Sequence, residues 1–232
     1  MISIVIPVLN EASTIVRLLT YILKNSSEKN ISEIIVVDGG STDSTKDLVT
    51  QFSEKNKTVY LFSSKKGRAV QMNIGARNSF GNILYFLHAD TFPPKNFDEL
   101  IINEVNKGNK AGCFRMKFDS HHPVLKVSQW FTRFNFKLCR GGDQSLYVTK
   151  EIFNTLNGYN QKYIVYEDCE FINRIYNKYS FKVIDNYVTT SARKYSANGT
   201  LKLQYHFALI HLKNIFGVSA ENLQTYYTKN IK

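Results

Sequence analysis

Several short polar segments carry the side chains best suited to chemistry, and the first is Asp38-Gly-Gly-Ser-Thr-Asp43. A carboxylate at Asp38, at the end of an apolar run, is suited to accept hydrogen bonds from a ribose or a base imide. The two glycines that follow let the backbone approach a ligand closely. The alternative is a turn and helix cap, since Ser41, Thr42 and Asp43 are all good capping residues. The residues leave both interpretations open.

A basic loop, Lys65-Lys-Gly-Arg68, stands before a predicted helix. Its cations and the free N–H groups of the helix start are suited to an anion such as a diphosphate. A solvated basic loop is the alternative, and it is the commoner case for such a run. Arg193-Lys-Tyr195 near the C-terminus has the same two interpretations, a phosphate contact or a surface segment.

His88-Ala-Asp90 ends an apolar run. If the chain is still extended there, alternation places both side chains on one side. One carboxylate with substrate phosphates and water suffices for Mg²⁺ or Mn²⁺, and imidazole suits Mn²⁺ better. The alternative for His88 is a histidine packed at a strand end, so Asp90 is the stronger candidate. The neighbouring His121 and His122 stand before a proline and indicate a loop rather than a metal pair.

Two adjacent carboxylates occur in Tyr166-Glu-Asp168, before a predicted helix. Beside a cleft such a pair is able to divide roles, with one group abstracting a proton while the other binds hydroxyls or holds geometry. An acidic helix start favoured by the macrodipole is the alternative. Spacing does not choose between them.

A regular alternation of strands and helices must position these segments. Continuous apolar runs predict buried strands at residues 2–8, 34–37, 59–62 and 83–87, and helical spacing predicts three helices between them. This alternation predicts an open, mostly parallel α/β sheet. Ligands bind such sheets beyond the carboxyl ends of the strands, where four of the polar segments fall. Their side chains are therefore expected to converge on one rim.

The second half predicts a mixed set of elements. A strand is expected at residues 144–148, a helix at 171–179 and another strand from 183. An aromatic amphipathic helix is predicted by the spacing of Val124, Val127, Phe131, Phe134 and Leu138. The aromatic stripe from Trp130 to Phe136 is more typical of core than of a lipid or acceptor platform. A last helix is also predicted, with Leu201, Tyr205, Leu209, Leu212 and Phe216 on one face.

Composition narrows the class of protein. Of 232 residues, 43% are hydrophobic and 13% aromatic, which excludes disordered and fibrous chains. The net charge of +11 favours an anionic partner or reflects a compositional habit. Cys113, Cys139 and Cys169 form no CxxC pair and are expected to be reduced core residues of a cytosolic protein. Neither a signal peptide nor a membrane span is predicted.

Taken together and in order, the polar segments resemble those of a family-two glycosyltransferase, in the short, soluble-looking branch of that family. The resemblance covers about residues 1–195. It rests on six motifs in the expected order: Ile4-Val-Ile-Pro-Val-Leu-Asn-Glu11, Ile34-Ile-Val-Val-Asp-Gly-Gly-Ser-Thr-Asp-Ser44, Gly67-Arg-Ala-Val-Gln-Met-Asn-Ile-Gly-Ala76, Phe86-Leu-His-Ala-Asp-Thr91, Gly141-Gly-Asp-Gln144 and Tyr166-Glu-Asp168.

The resemblance implies a GT-A fold, a nucleoside-diphosphate sugar donor with UDP as the expected nucleotide, a divalent metal (Mn²⁺ or Mg²⁺) and inverting transfer. Because the sequence has no Pro- or Gly-rich linker, repeat or low-complexity block, one domain is expected over residues 1–232, with a nucleotide-sugar half at about 1–100, an acceptor and catalytic half at about 101–195, and a helical tail at about 196–232. The acceptor is unknown, either a saccharide or lipid-linked. A cytoplasmic protein is expected, with a possible peripheral contact at the inner face of the membrane and no nucleic-acid partner.

The same resemblance assigns roles to positions of this chain. Asp168 matches the catalytic base, with Glu167 beside it, and Asp90 matches the last residue of the DxD motif and faces the metal. His88 stands where that motif has its first Asp, which weakens the metal site or changes the metal it selects. Nucleotide-sugar contacts fall on Pro7, Asn10, Glu11, Asp38, Gly67, Arg68, Asn73, Ala89 and Arg193, and the acceptor side on Gly142, Asp143 and Gln144.

Two other functions remain open at this level. A non-catalytic or degenerate transferase that binds nucleic acid or an anionic membrane would also use the net charge of +11 and the aromatic stripe. A sugar-phosphate nucleotidyltransferase would need a Gly-rich basic signature directly after the first strand. Pro7-Val-Leu-Asn-Glu11 stands at that place instead, which argues against it.

Overall fold

The computed structural model describes residues 1–231, in which one eight-stranded sheet is flanked by helices. The strands are Ile2–Val8 (β1), Ile31–Asp38 (β2), Val59–Ser63 (β3), Ile83–Phe86 (β4), Thr91–Phe92 (β5), Ala111–Phe118 (β6), Leu146–Thr149 (β7) and Lys182–Thr190 (β8). The helices are Ile15–Asn25 (α1), Thr45–Lys55 (α2), Arg68–Arg77 (α3), Phe97–Asn106 (α4), Pro123–Phe131 (α5), Lys150–Thr155 (α6), Glu167–Lys178 (α7), Arg193–Asn198 (α8), Thr200–Ile215 (α9) and Ala220–Asn230 (α10). Single 3-10 turns occur at Lys137–Cys139 and Gly142–Gln144.

The strands lie in the order β3-β2-β1-β4-β7-β6-β8-β5. The pairs β1–β2, β2–β3, β1–β4 and β6–β8 are parallel, whereas β7 runs antiparallel to both β4 and β6. The prediction of a mostly parallel α/β sheet is confirmed. Since β2 and β3 lie on one side of β1 and β4 on the other, the connection order reverses between β1 and β4, where open sheets of this kind bind ligands.

The apolar runs form strands that are buried on both faces. Along β1, Ile4 and Ile6 point into one core cluster and Val5 into the other, as the period of two in a strand requires. Helix α3 packs so closely on this strand that a Cβ at Gly75 would stand 2.3 Å from Val5 Cγ1. This contact holds the first residue of α3, Arg68, at the edge of the sheet.

The predicted helix through Leu138 is too long. Helix α5 ends at Phe131, and the chain then bends around the buried guanidinium of Arg140. That group donates to the carbonyl of Thr132 across 2.8 Å and to Gln144 Oε1 across 2.7 Å. In a longer helix such carbonyls would accept hydrogen bonds from backbone N–H groups of the helix. Here they accept them from Arg140 instead.

The prediction that the aromatic stripe is core is wrong, because no element covers it within residues 1–231. Trp130, Phe131 and Phe136 are exposed and Phe134 is half-buried. The predicted C-terminal helix exists as α9, but it is not the last helix, because α10 follows it, and the predicted apolar face is mostly exposed. Leu203, His206 and Ile210 are buried, whereas Leu201, Tyr205, Leu212 and Phe216 are exposed.

Cys113 is buried, Cys139 and Cys169 are half-buried, and all three are unpaired. In the part of the chain that the structure describes, no helix has both the length and the apolar character needed to cross a membrane.

Candidate active site

The polar residues that follow β1 and β2 form one interlocked rim. Asn10 adopts a left-handed backbone conformation (φ 57°), and its Oδ1 accepts the N–H of Thr42 across 2.8 Å. The N–H of Asn10 donates to Ser41 Oγ across 2.9 Å, and that of Glu11 to Thr45 Oγ1 across 2.8 Å. The loops after the two strands are therefore held together by side chains rather than by sheet pairing.

Asp38 is the last residue of β2 and is buried. Its carboxylate accepts the N–H groups of Gly40 across 3.0 Å and of Ser41 across 3.2 Å, which folds the glycine turn back onto the strand end. Capping of α2 falls to Asp43, whose Oδ1 accepts the N–H of Thr45 across 3.0 Å. The turn-and-cap interpretation of this segment is therefore observed, while a nucleotide contact of Asp38 stays a prediction.

Gln71 is a buried residue of α3 that the sequence patterns did not single out. Its Nε2 donates to the carbonyls of Val8 across 2.8 Å and of Val37 across 2.7 Å, at the ends of β1 and β2. A Cβ at Gly39 would stand 3.0 Å from the Gln71 amide carbon, so the glycine leaves room for this side chain. The sequence signal that could have identified Gln71 is a polar residue on a helix that otherwise packs on the sheet.

Three charged residues from distant parts of the chain meet beside this rim. The guanidinium of Arg193, at the start of α8, forms ion pairs with Glu11 and, across 3.4 Å, with Asp90 Oδ2. Burial, and then the negative charge of Asp143, raise the pKa of the Asp90 carboxyl. The structure thus brings together the three predicted residues Glu11, Asp90 and Arg193.

His88 lies between two carboxylates. Its Nδ1 is 3.3 Å from Asp143 Oδ1 and its Nε2 is 3.3 Å from Asp168 Oδ2. Burial disfavours the imidazolium, but the hydrogen bonds to Asp143 and then to Asp168 outweigh it and raise the pKa of His88 to about 10. At neutral pH the site therefore contains a buried cation at this position.

The expected extended chain from His88 to Asp90 is not observed. The N–H of Thr91 donates to the carbonyl of His88 across 3.1 Å, so the chain turns at these residues. The two side chains consequently contact different groups, with His88 at Asp143 and Asp168 and Asp90 at Arg193.

Glu167 and Asp168 occupy the first turn of α7, where the helix dipole favours negative charge. Both are buried, and Glu167 Oε1 is 3.4 Å from Arg68 Nη1. Burial, and then the charge of Asp168, raise the pKa of Glu167, which Arg68 opposes. The preceding residue, Tyr166, adopts a left-handed conformation (φ 75°), which is strained for an aromatic residue.

Gly142 lies directly against the catalytic candidates. A Cβ at this residue would stand 2.0 Å from Asp168 Oδ2 and 2.7 Å from His88 Cε1. Only a glycine allows the 3-10 turn to approach this closely. The turn thereby brings Asp143 to His88.

Several other predicted site residues lie beneath the rim and hold its segments in place. Asn73 exchanges two hydrogen bonds with the backbone of Tyr159, at 2.8 and 2.9 Å, so its amide fastens α3 to the loop after α6. Gln144 is buried and accepts from Arg140, which places it under the acceptor side rather than on its surface. Pro7 and Ala89 are buried, and Gly67 (φ 138°) caps α3.

Tyr159 is a second residue that sequence patterns missed. Its buried hydroxyl has no hydrogen-bond partner among the residues that the structure describes. Burial, and then the charges of Asp168 and Glu167, raise the pKa of Tyr159 well above its usual value, so the phenol stays protonated beside the two carboxylates.

The residues at the rim fit a divalent cation only in part. Asp90 offers a hard oxygen ligand in a locally acidic environment, as Mg²⁺ or Mn²⁺ prefers. Both nitrogens of His88 face carboxylates, which leaves neither free for a cation. Within residues 1–231, no group of three or more His, Cys, Asp or Glu side chains is arranged to hold a metal ion. Donor phosphates and water would have to supply the remaining ligands.

A separate cavity of about 580 Å³ lies along residues 155–161 and the second half of α7. None of the predicted site residues lines it. A smaller pocket of about 90 Å³ does contain one of them, Asp90, beside Arg17 and Asp119.

The fold is that of the GT-A glycosyltransferases. It resembles S. aureus TarS residues 1–349 in complex with UDP-GlcNAc, with a TM-score of 0.68 at 17% identity, over 82% of this chain and 58% of that one. It also resembles GalNAc-T7 with UDP, GalNAc and Mn²⁺, with a TM-score of 0.68 at 16% identity, over 82% of this chain and 44% of that one.

Residues 3–185 match the family described as Glycosyl transferase family 2, and the chain belongs to that family. A relative, the probable glycosyltransferase YdaM of Bacillus subtilis, is 26% identical over 196 residues, which cover 76% of this chain and 46% of YdaM. The match thus spans less than half the length of YdaM, and only 35% of a second relative, the glycosyltransferase AglE of Haloferax volcanii, which is 33% identical over 107 residues. The predicted family and fold are confirmed.

Proposed function

We propose that this chain transfers a sugar from a nucleoside-diphosphate sugar to an acceptor hydroxyl, with inversion at the anomeric carbon. The observation that carries the proposal is the placement of Asp168. This buried carboxylate, in the first turn of α7, contacts His88, which follows β4 at the ligand-binding edge of the sheet.

Asp168 acts as the general base. As the acceptor oxygen attacks the anomeric carbon, its proton passes to the Asp168 carboxylate, the new C–O bond forms, and the bond to the diphosphate oxygen breaks. The nucleoside diphosphate leaves with the bonding electron pair. The buried imidazolium of His88 holds the carboxylate in place, and a positioned base of this kind contributes about 10²–10⁴-fold to the rate.

Positive charge near the diphosphate comes from two arginines. Arg68 stands at the start of α3 and Arg193 at the start of α8, and each forms an ion pair with a carboxylate. The donor diphosphate would compete with those carboxylates for the guanidinium groups. A divalent ion bound at Asp90, Mn²⁺ or Mg²⁺, would supply further charge beside the departing phosphates.

The donor is proposed to be a UDP-sugar. TarS is described with UDP-GlcNAc and GalNAc-T7 with UDP and Mn²⁺, and both share this fold. Asp38 is suited to the base or ribose, because its carboxylate ends β2 at the rim. The further donor contacts are assigned to Pro7, Asn10, Glu11, Gly67, Asn73 and Ala89. Several of these residues are proposed to act indirectly, by holding in place the backbone that contacts the donor.

The acceptor is proposed to enter beside Gly142 and Asp143, with Gln144 supporting that turn from below. The turn approaches Asp168 from the side of β7, in the second half of the chain. A saccharide hydroxyl or the hydroxyl of a lipid-linked sugar would meet the base there.

A thermal-shift screen of UDP, GDP and dTDP with their sugars, each with and without Mn²⁺, tests the donor. A ligand at 100 times its dissociation constant adds about 2.7 kcal/mol of stability, which shifts the melting temperature by a few degrees. We expect a rise for UDP that grows with Mn²⁺, followed by release of UDP when an acceptor is present. No rise with any nucleotide, or release of pyrophosphate instead of UDP, would contradict the proposal.

A further inference from the structure

Four aromatic side chains, three of them exposed and Phe134 half-buried, form one contiguous group at the end of α5 and just after it, here called the aromatic patch: Trp130, Phe131, Phe134 and Phe136. The ring centroids of Trp130 lie 5.2 Å from Phe131 and 4.9 Å from Phe134, and Phe134 lies 6.5 Å from Phe136. The guanidinium of Arg133 stands 4.9 Å above the Trp130 ring. Phe136 is 67% exposed, so this group is not core.

Helix α9 carries a second exposed apolar surface, here called the α9 stripe: Leu201, Tyr205, Ala208, Leu212 and Ile215. These residues recur at alternating steps of four and three, which places them on one face of the helix. Phe216, 82% exposed, follows directly. The opposite face is the one that packs on the protein, through Leu203 and Ile210.

The aromatic patch and the α9 stripe are carried by neighbouring elements. Helix α5 packs against α9, and Leu125 of α5 shares one core cluster with Leu203 and Ile210 of α9. Both elements bury one side in this cluster and leave apolar residues on the other. Exposed apolar side chains that cluster in this way mark an interaction site.

The charge of these segments identifies the partner. Residues 120–142 and 186–220 contain no Asp or Glu. Besides the ion-paired Arg193, their exposed cations are Lys126, Arg133, Lys137 and Lys202. Aromatic and aliphatic anchors accompanied by exposed cations are suited to a surface that is apolar beneath and anionic at its boundary. An acidic lipid membrane has that structure.

We propose that the aromatic patch and the α9 stripe together dock this chain onto an anionic lipid surface, with α9 lying in the plane of the interface. The α9 stripe runs from Leu201 to Ile215, along almost the whole of this 16-residue helix. Tyr and Trp rings at this surface combine an apolar body with a polar edge, as interfacial anchors do. Docking needs no donor and no transfer reaction.

The docking surface adjoins the proposed base. Tyr166, the residue before Glu167, has its hydroxyl 3.2 Å from His211 Nδ1 on α9. A chain docked through α9 would therefore hold the start of α7 close to the lipid boundary. In combination with the proposed function, on which this step rests, docking favours an acceptor carried by the membrane.

The only tryptophan of the chain lies in the aromatic patch, so its fluorescence reports docking directly. We expect vesicles of phosphatidylcholine with phosphatidylglycerol to shift Trp130 emission to the blue and to sediment the protein, while vesicles of phosphatidylcholine alone do neither. Raising NaCl from about 0.1 M to about 0.5 M should weaken the binding, because it screens the lipid charge. This measurement is independent of donor binding and of UDP release.

Substitutions of exposed residues test the surface without disturbing the core. We expect Phe136→Ser combined with Leu212→Ser to lower the vesicle partition coefficient about tenfold. Phe80→Ser is the matched control, because Phe80 is 80% exposed but lies before β4, outside both segments. Equal binding of the double variant and the native chain would overturn the proposal, as would equal losses in the control. A native dimer that does not bind vesicles and that Leu212→Ser converts to monomers would assign the α9 stripe to a second copy of the chain instead.

Discussion

Asp168 and His88 face each other across 3.3 Å, carboxylate Oδ2 to imidazole Nε2, and the other imidazole nitrogen faces Asp143 at the same distance. A buried cation thus occupies the centre of the acidic part of the site. Removal of His88 would leave the buried Asp168 carboxylate without its cation, which is costly in a desolvated position. The activity and the stability of this chain are therefore both expected to depend on this triad.

Asp168→Asn removes the proposed base while keeping the shape of the side chain. We expect turnover to fall about 10²–10⁴-fold with the dissociation constant for UDP almost unchanged, since the base acts on the acceptor hydroxyl. The rate of UDP release measures turnover, and calorimetry measures the dissociation constant for UDP. Asp47→Asn, at an exposed position on α2, is the control. Activity of Asp168→Asn near that of the control would remove Asp168 from this role.

The raised pKa of His88 predicts how stability depends on pH. The folded chain keeps the proton up to about pH 10, whereas the unfolded chain releases it near the ordinary histidine pKa of about 6.5. The contribution of His88 to the free energy of unfolding is therefore complete below about pH 6.5 and is lost as the pH rises to about 10. Denaturant unfolding of the native chain and of His88→Gln across this range should give curves that converge at high pH. Parallel curves would show that His88 is not held as a cation.

Gly142→Ala places a methyl group where the Asp168 carboxylate stands, 2.0 Å from Oδ2. Because Asp168 or the turn must move, we expect a loss of at least about tenfold in kcat, since displacement of a base by about 1 Å is enough to disrupt proton transfer. Gly141→Ala is a closely matched control, because a Cβ there has no heavy atom within 4 Å. Similar kinetics for the two variants would contradict the close packing described here.

Asp90→Asn tests the proposed metal ligand. We expect Mn²⁺ to strengthen UDP binding to the native chain and to have about tenfold less effect on the variant, because the amide lacks the charge that holds a hard cation. Titration of UDP with Mn²⁺ and with EDTA measures both states, and Glu54→Gln on the exposed face of α2 serves as the control. If Mn²⁺ strengthens binding to Asp90→Asn and to the native chain equally, the metal does not depend on Asp90.

The first half of the fold was predictable because its strands are continuous apolar runs and its helices alternate with them. Strand ends such as Asp38 and His88 could then be placed on one rim from topology alone. The pairing of His88 with Asp143 and Asp168 could not be predicted in this way, because it depends on the antiparallel insertion of β7 between β4 and β6. No local pattern encodes that insertion.

The prediction for the second half of the chain was partly wrong, and the reason is physical. Helical spacing shows that apolar residues share a face, but not whether another element covers that face. On α9 the covered residues are Leu203 and Ile210, and the more regular stripe through Leu212 is exposed. Beyond α5, the buried guanidinium of Arg140 ends the helix, and a single arginine gives no sign in the sequence that it will be buried.

The two amide hydrogens of Gln71 bind the carbonyls of Val8 and Val37, at the ends of β1 and β2. The β1–β2 ladder extends to Val8 and Asp38, and the N–H of Gly39 also donates to the Val8 carbonyl across 3.0 Å. The spacing of the two strand ends is therefore set by the sheet and fastened by one uncharged side chain of α3. A nucleotide bound at these strand ends would contact backbone whose conformational entropy is lost when the protein folds.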